Sequence, residues 1–226
     1  MEALFSGKAC FLDSDEWRHI ALQYPTDSFT VQFYEKTAEL SQCLAACPWL
    51  VTESYSLKAA SPSEPSTQTR ISALTQSTLE ICARLRQWYE DFIAFAPLPE
   101  EAPSSMGDEL YPIVYRYRNP TTATVFCGYY AMTIIVHKIL VQWEHPAGDA
   151  GEISSTTDKI CKSIEYFSES GILGPYRVGF CMRVAFEVGT VIIKLWIRKW
   201  LLRFEKFYKA CSPDNYPPIE IPEESA

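Results

Sequence analysis

Residues 160–188, ICKSIEYFSESGILGPYRVGFCMRVAFEV, carry two apolar runs at helical spacing parted by Gly and Pro. Ile160, Ile164 and Phe167 recur at helical spacing behind a Ser154/Ser155 start signal, and Val178, Met182, Ala185 and Phe186 do the same further on. Between the two runs, Gly171, Gly174 and Pro175 stop one helix and restart another, because glycine accepts positive φ and proline suits a first helical turn. The expectation is helix, tight corner, helix. The corner is to set Ile160, Ile164 and Phe167 against Val178, Met182 and Phe186.

The same rhythm runs outward. With 226 residues, 47% hydrophobic and 21% charged, the chain can bury a core and is too apolar for disorder. Nine glycines leave little room for many hairpins, and 14% aromatic residues, six of them Trp, point to bulky packing. The predicted class is all-α: an irregular bundle of about six to eight helices with long Pro/Ser-rich loops. One helical domain is expected over 1–211, with an acidic flexible tail at 212–226.

Toward the N-terminus, Ser14 caps a short helix that ends before Pro25. Thr26 or Asp27 opens a longer one, whose apolar face of Phe29, Phe33, Leu40, Leu44 and Cys47 ends at Pro48. Residues 54–69 are rich in Ser, Pro and Thr and read as a mobile loop. In 68–95, Ile71, Leu74, Thr78, Ile81, Leu85, Trp88, Phe92 and Phe95 alternate steps of three and four, a heptad seam. Such a seam serves a coiled-coil dimer or a stripe buried in its own domain. Apolar faces on neighbouring helices favour the second.

Residues 96–119 form a second Pro-rich loop. In it Tyr115 and Tyr117 alternate with Arg116 and Arg118, a pattern that can stack on nucleic acid bases. The run is short, and a net charge of −8 argues against a nucleic-acid-holding chain, so a locally packed extended segment is expected. Asn119 followed by Pro120 starts the next helix, and 121–136 carries no charge. That is shorter than the roughly 20 residues a bilayer span needs. A buried helix is predicted, and no transmembrane segment.

The last helix, 190–210, puts Trp196, Ile197, Trp200, Leu201, Phe204, Phe207 and Tyr208 on one side. Lys194, Arg198, Lys199, Arg203, Lys206 and Lys209 fall on the other. An amphipathic helix of this kind closes a core, lies on an anionic membrane or fills a partner's groove. Closing the core is the commoner use.

No constellation for catalysis stands out. His19, His137 and His145 have no motif partner, and Cys43 with Cys47 on one helical face supplies two ligands where a closed zinc site needs four. No phosphate-cradling loop, nucleophile elbow or dinucleotide fingerprint occurs. An enzyme is not expected, and no cofactor or metal is predicted. Eight scattered cysteines, mostly within apolar helical patterns and without a secretory leader, read as reduced thiols. The expected setting is intracellular, the nucleus before the cytoplasm.

Several segments together resemble the C-terminal regulatory region of fungal zinc binuclear cluster transcription factors. They are ALFSGKACFLDSDEW (3–17), LEICARLRQWY (79–89), YYAMTIIVHKIL (129–140), ICKSIEYF (160–167) and GILGPYRVGFCMRVA (171–185), in the family's order. The resemblance implies an all-α fold that regulates a DNA-binding module and mediates contacts. No cluster of six closely spaced cysteines occurs in this sequence, and Cys181 stands where the family often has proline. A truncated regulator without its own DNA-binding module is therefore expected, and direct DNA binding is not.

Its partners would be proteins, either itself or a full-length related factor. The candidate interaction faces are Ile71, Leu74, Ile81, Leu85, Trp88 and Phe92 on one helix, and Trp196, Trp200, Phe204 and Phe207 on the other. The alternatives are a small-molecule binder or enzyme with an aromatic interhelical pocket, and a peripheral membrane protein using the basic last helix.

Overall fold

A computed structural model describes residues 28–60 and 64–220. The fold is all-α, with six α-helices among the described residues: α1 (Ser28–Ala59), α2 (Pro65–Ile93), α3 (Pro120–Gln142), α4 (Ala150–Ser168), α5 (Leu173–Val188) and α6 (Val191–Phe204). A two-stranded antiparallel sheet, β1 (Glu100–Pro103) with β2 (Ile113–Arg116), accompanies them. The short helix expected at Ser14, together with Cys10, His19 and residues 221–226, lies outside the described residues. Where the sequence suggests one domain, the described residues group into two compact units. One holds residues up to Pro97 and Met132–Glu152, the other Leu98–Ala131 and the chain from Ile153 onward.

In the first unit, α1 and α2 form an antiparallel hairpin. Phe29 meets Phe95 with ring centroids 5.8 Å apart, and Phe33 meets Phe92 at the same distance. The Trp88 indole N–H donates to the Lys36 carbonyl at 2.6 Å. At the far end Arg70 grips Glu53 through two hydrogen bonds of 2.7 and 2.9 Å. The heptad seam of α2 is buried from Leu74 to Phe92.

Helix α1 corrects the sequence reading, because it passes through Pro48 and continues to Ala59. A proline inside a helix costs about 3 kcal/mol, since it removes a hydrogen bond and crowds the preceding turn. The buried stripe nevertheless goes on at the same spacing: Leu40, Cys43, Cys47, Leu50, Ser54, Leu57. Burying one more leucine offers about 1.5–3 kcal/mol, so two of them outweigh the proline. The loop expected at 54–69 therefore gives way to helix on both sides, up to Ala59 and again from Pro65. Ser54 is itself buried and accepts hydrogen bonds from Gln142 (2.9 Å) and Trp143 (3.3 Å).

Helix α3 starts where the Asn119 side chain accepts the Thr122 N–H at 2.9 Å. Among the described helices it alone is long and apolar enough to cross a bilayer, and 72% of its most apolar window is buried in the protein. The core helix of a folded domain has the same composition. Asp149 caps α4 by accepting the Gly151 and Glu152 N–H groups at 2.8 and 3.0 Å. The helix thus begins ahead of the Ser154/Ser155 signal, which sits inside it.

In the second unit, α4 ends at Ser168 and α5 starts at Leu173. Gly171 sits between them with φ +56°, the left-handed region where glycine is at ease. Gly174 and Pro175 lie buried in the first turn of α5. Ile160, Ile164, Phe167, Val178, Met182 and Phe186 are all buried. The Thr190 hydroxyl caps α6, which ends at Phe204, ahead of the expected 210.

The tail also departs from expectation over its described part. The Tyr216 ring stands edge-on to Phe186 at 5.2 Å, and the Arg183 guanidinium stacks over it at 5.2 Å. Arg183 also donates to the Asn215 carbonyl. An aromatic anchor thus holds residues 212–216 on the helices, where acidic composition alone suggests a free end.

Candidate functional site

The Pro-rich segment 96–119 holds more organisation than its composition suggests. Strands β1 and β2 pair from Glu100 opposite Arg116 to Pro103 opposite Ile113, and the intervening loop folds back over the helices. Its first anchor is Glu165 on α4, a carboxylate only 2% exposed. Glu165 accepts from the Ser104 hydroxyl (2.5 Å), from the Ser105 hydroxyl and N–H (2.9 Å each) and from Arg116 (2.8 Å). Burial alone would raise its carboxyl. The hydrogen bonds from Ser104 and Ser105 and the charge of Arg116 outweigh burial and hold it below the ordinary value.

The second anchor is Asp108. One carboxylate oxygen accepts the N–H groups of Leu110 and Tyr111 at 3.0 and 2.8 Å, and the other accepts the Trp196 indole N–H at 2.6 Å. Tyr111 completes the clamp by donating its hydroxyl to Asp158 on α4 at 2.8 Å and standing edge-on to Trp196 at 4.7 Å. Burial, with Cys161 and Asp158 alongside, keeps the Tyr111 phenol well above its ordinary value. The loop is thus pinned to α4 and α6 by side chains on its inner surface.

The loop and its neighbouring helices enclose two adjoining hollows that share Leu110 and Ile192. One, of about 620 Å³, is lined by Tyr111, Tyr115, Asp158, Lys159 and Lys162 among others. The other, of about 470 Å³, has Trp196 and Trp200 at its base, with Met106, Leu195, Lys199 and Arg203 around them. Lys162 is engaged by Glu101 at 3.0 Å. Lys199 and Arg203 are exposed and make no salt bridge among the described residues; the Arg203 guanidinium lies 4.8 Å over the Trp200 ring.

Of the residues singled out in the sequence, Tyr115, Trp196 and Trp200 line the hollows and most of the others fall elsewhere. Leu74, Ile81, Leu85, Trp88 and Phe92 are buried in the first unit, and Ile71 is half-buried. Trp196, Trp200 and Phe204 are buried in the second. The α2 face and most of the α6 face therefore pack as core stripes, with Trp196 and Trp200 also flooring the smaller hollow. Phe207 is 58% exposed, because α6 has ended before it. Gly171, Gly174 and Pro175 occupy the α4–α5 corner and touch neither hollow. Tyr117 is buried against the Ser163 hydroxyl at 2.7 Å and Arg116 is held by Glu165 and Glu169. Two of the four interleaved residues, Arg116 and Tyr117, are thus engaged within the protein.

One pairing has no trace in the sequence. The imidazole of buried His137 on α3 lies with Nε2 3.9 Å from the Cys82 thiol on α2. The Asp149 N–H donates to Nδ1 at 3.3 Å, which places the proton of the neutral ring on Nε2. Burial pushes His137 down, against the pull of Glu152 and Asp149, and pushes the Cys82 thiol up. Both groups are held neutral, the opposite of an activated thiolate–imidazolium pair. Among the described residues, no group of three His, Cys, Asp or Glu side chains comes together to hold a metal ion.

Cys82 is the one described cysteine that is not buried, and burial raises the thiols of Cys47, Cys127 and Cys161 to about 12. In a Cys10→Ser background, Ellman's reagent at neutral pH should find one accessible thiol, reacting more slowly than free glutathione. Cys82→Ser should remove it. Two or more fast thiols would mean that the helical units open readily.

The loop anchors were not legible as a set. Ser104, Asp108, Glu165 and Trp196 are far apart in sequence, and none sits in a spacing pattern of its own. The available signal was weaker: a glutamate within the buried arc of α4, beside Ile164, needs a cationic or hydrogen-bonding partner somewhere. In comparisons with known proteins, the chain matches no family model, no curated protein and no solved structure.

Proposed function

We propose that the chain is a regulatory and interaction domain of the transcription-factor type, working through protein contacts in the nucleus. The observation that carries this reading is a presented surface. Helix α6 shows solvent three aliphatic side chains, Ile192, Leu195 and Leu202, beside Arg198, Lys199 and Arg203, and it contains no carboxylate. A loop pinned by Glu165 and Asp108 stands beside it. Exposed apolar groups rimmed by charge mark interaction sites. The order of the resembling segments supplies the transcriptional context, and direct DNA contact is no part of the reading.

Tethering the chain to a heterologous DNA-binding module at a reporter promoter tests this. A several-fold change in reporter output, up or down, is expected. Output equal to that of the DNA-binding module alone, with the fusion present at normal levels, rejects the reading.

The larger hollow favours a second reading, a small-molecule site. Its volume of about 620 Å³ falls within the range of roughly 300–1,000 Å³ usual for ligand pockets, and Tyr111, Tyr115, Lys159 and Lys162 offer rings and cations. A metabolite that raises the melting temperature of the wild type but not of Tyr115→Ala would identify such a ligand by mass action.

A further inference from the structure

We infer that the hollow between α6 and the Met106–Leu110 stretch of the β1–β2 loop is a docking groove for an acidic peptide segment carrying bulky apolar side chains. This inference rests on the interaction-domain reading and names the surface and the partner's chemistry. Three observations converge on it.

The first is apolar exposure along the groove and its rim. Ile192 is 65% exposed, Leu195 44%, Leu202 54% and Met106 52%, while the opposite side of α6 is core. Ile192, Leu195 and Met106 line the groove itself. The span from Ile192 to Leu202 is ten residues, about 15 Å of helix at 1.5 Å per residue, which is three turns of a docked helix or a few residues of extended chain.

The second is charge. The protein carries −8 overall, yet α6 has Lys194, Arg198, Lys199 and Arg203 and no acid. Lys199 and Arg203 line the groove without a salt bridge among the described residues. Of the groove's two carboxylates, Asp108 is occupied by the Trp196 indole and two backbone N–H groups, which leaves Glu109 alone, exposed at the lip. The net local character is cationic on an acidic protein, complementary to acidic side chains and repellent to basic ones.

The third is shape. The groove is concave, about 470 Å³, with Trp196 and Trp200 beneath it. A hollow of that size accepts one or two leucine- or phenylalanine-sized anchors, whereas a bilayer surface is flat and would leave it empty. Shape therefore favours a peptide over a membrane. The loop wall is held in place in advance by Glu165, Asp108 and Tyr111, so binding does not have to order it.

The test uses the full chain and three labelled synthetic peptides followed by fluorescence polarisation. The first alternates acidic residues with Leu and Phe, the second has Ala in place of Leu and Phe, and the third has Lys in place of the acids. Only the first should bind, with affinity falling as salt is raised. Lys199→Glu/Arg203→Glu should weaken it by about tenfold or more through like-charge repulsion. Leu195→Asp should do the same. Lys58→Glu/Lys206→Glu makes an equal change in net charge at exposed residues that neither line the groove nor belong to α6 and should leave binding within about twofold, because exposed charges away from the contact are screened. Melting curves of all variants should match the wild type, since none of the five positions is in the core.

Equal loss in the two double variants, or binding of the Ala peptide as tight as the Leu/Phe peptide, overturns the groove. So does tighter binding to phosphatidylserine-containing vesicles than to the peptide, which would make the surface a membrane contact. Self-association that Lys199→Glu/Arg203→Glu abolishes would put a second copy there and equally overturn it. If no peptide binds while the tethered chain still alters reporter output, the groove falls and the interaction-domain reading stands.

Discussion

Gly174→Ala is expected to lower the melting temperature by roughly 6–12 °C, equivalent to about 3 kcal/mol in a domain of this size. A Cβ built on Gly174 would stand 1.8 Å from the Phe167 carbonyl oxygen and 2.8 Å from its carbon. Those are backbone atoms at the end of α4, so no side-chain rotation relieves the clash, and α4 and α5 have to move apart. Gly171→Ala is the control. Its φ of +56° disfavours a side chain, but no atom lies within 4 Å of the new Cβ. Its cost is limited to the left-handed backbone penalty, about 1–2 kcal/mol. Gly174→Val should be worse than Gly174→Ala and compromise soluble expression. Scanning calorimetry of the two alanine variants decides the matter. Equal shifts, or a larger one at Gly171, would show that close approach of α4 and α5 does not constrain the corner.

The contrast between these glycines also shows what a sequence yields. Gly171, Gly174 and Pro175 together mark a helix stop and restart. Which glycine serves backbone conformation and which serves packing is invisible until Phe167 is placed. Periodicity carries well where one stripe faces one partner: the α2 seam from Leu74 to Phe92 is read directly from steps of three and four. It also carries past Pro48, where composition misleads. Leu50, Ser54 and Leu57 continue the α1 stripe, and the polar residues between them simply face water.

What periodicity cannot show is which of two amphipathic uses a helix has. Trp196, Trp200 and Phe204 share an apolar face that packs as core, while Ile192, Leu195 and Leu202 lie among cations and are exposed. The interleaving of aliphatic and basic residues hides that second face. Contacts such as Cys82 with His137, or Glu165 with Ser104, join positions with no local relation, so only the folded chain reveals them.

Glu165→Leu is expected to cost about 2–4 kcal/mol, because the hydrogen bonds to a charged acceptor vanish and their donors lose that partner in a largely buried site. Arg116 keeps Glu169 and part of its solvent contact, which limits the loss. Glu165→Gln retains shape and one acceptor and should cost about half as much.

Acid sensitivity separates charge from shape. The folded-state carboxyl of Glu165 is lowered from 4.5, so its stabilisation is full above the unfolded value and is lost as pH falls through the folded one. The wild type should therefore lose melting temperature more steeply than Glu165→Gln as the buffer is taken below pH 4.5.

The site of the loss should be local first. With Ser104 and Ser105 released, chymotrypsin should cut after Leu110 or Met106 at temperatures well below the main transition, and the acidic peptide should lose its groove in step. Unchanged cleavage of the 104–112 loop in Glu165→Leu would mean that Asp108 and Tyr111 hold the wall unaided. The buried carboxylate would then serve α4 alone, and groove binding should survive its replacement.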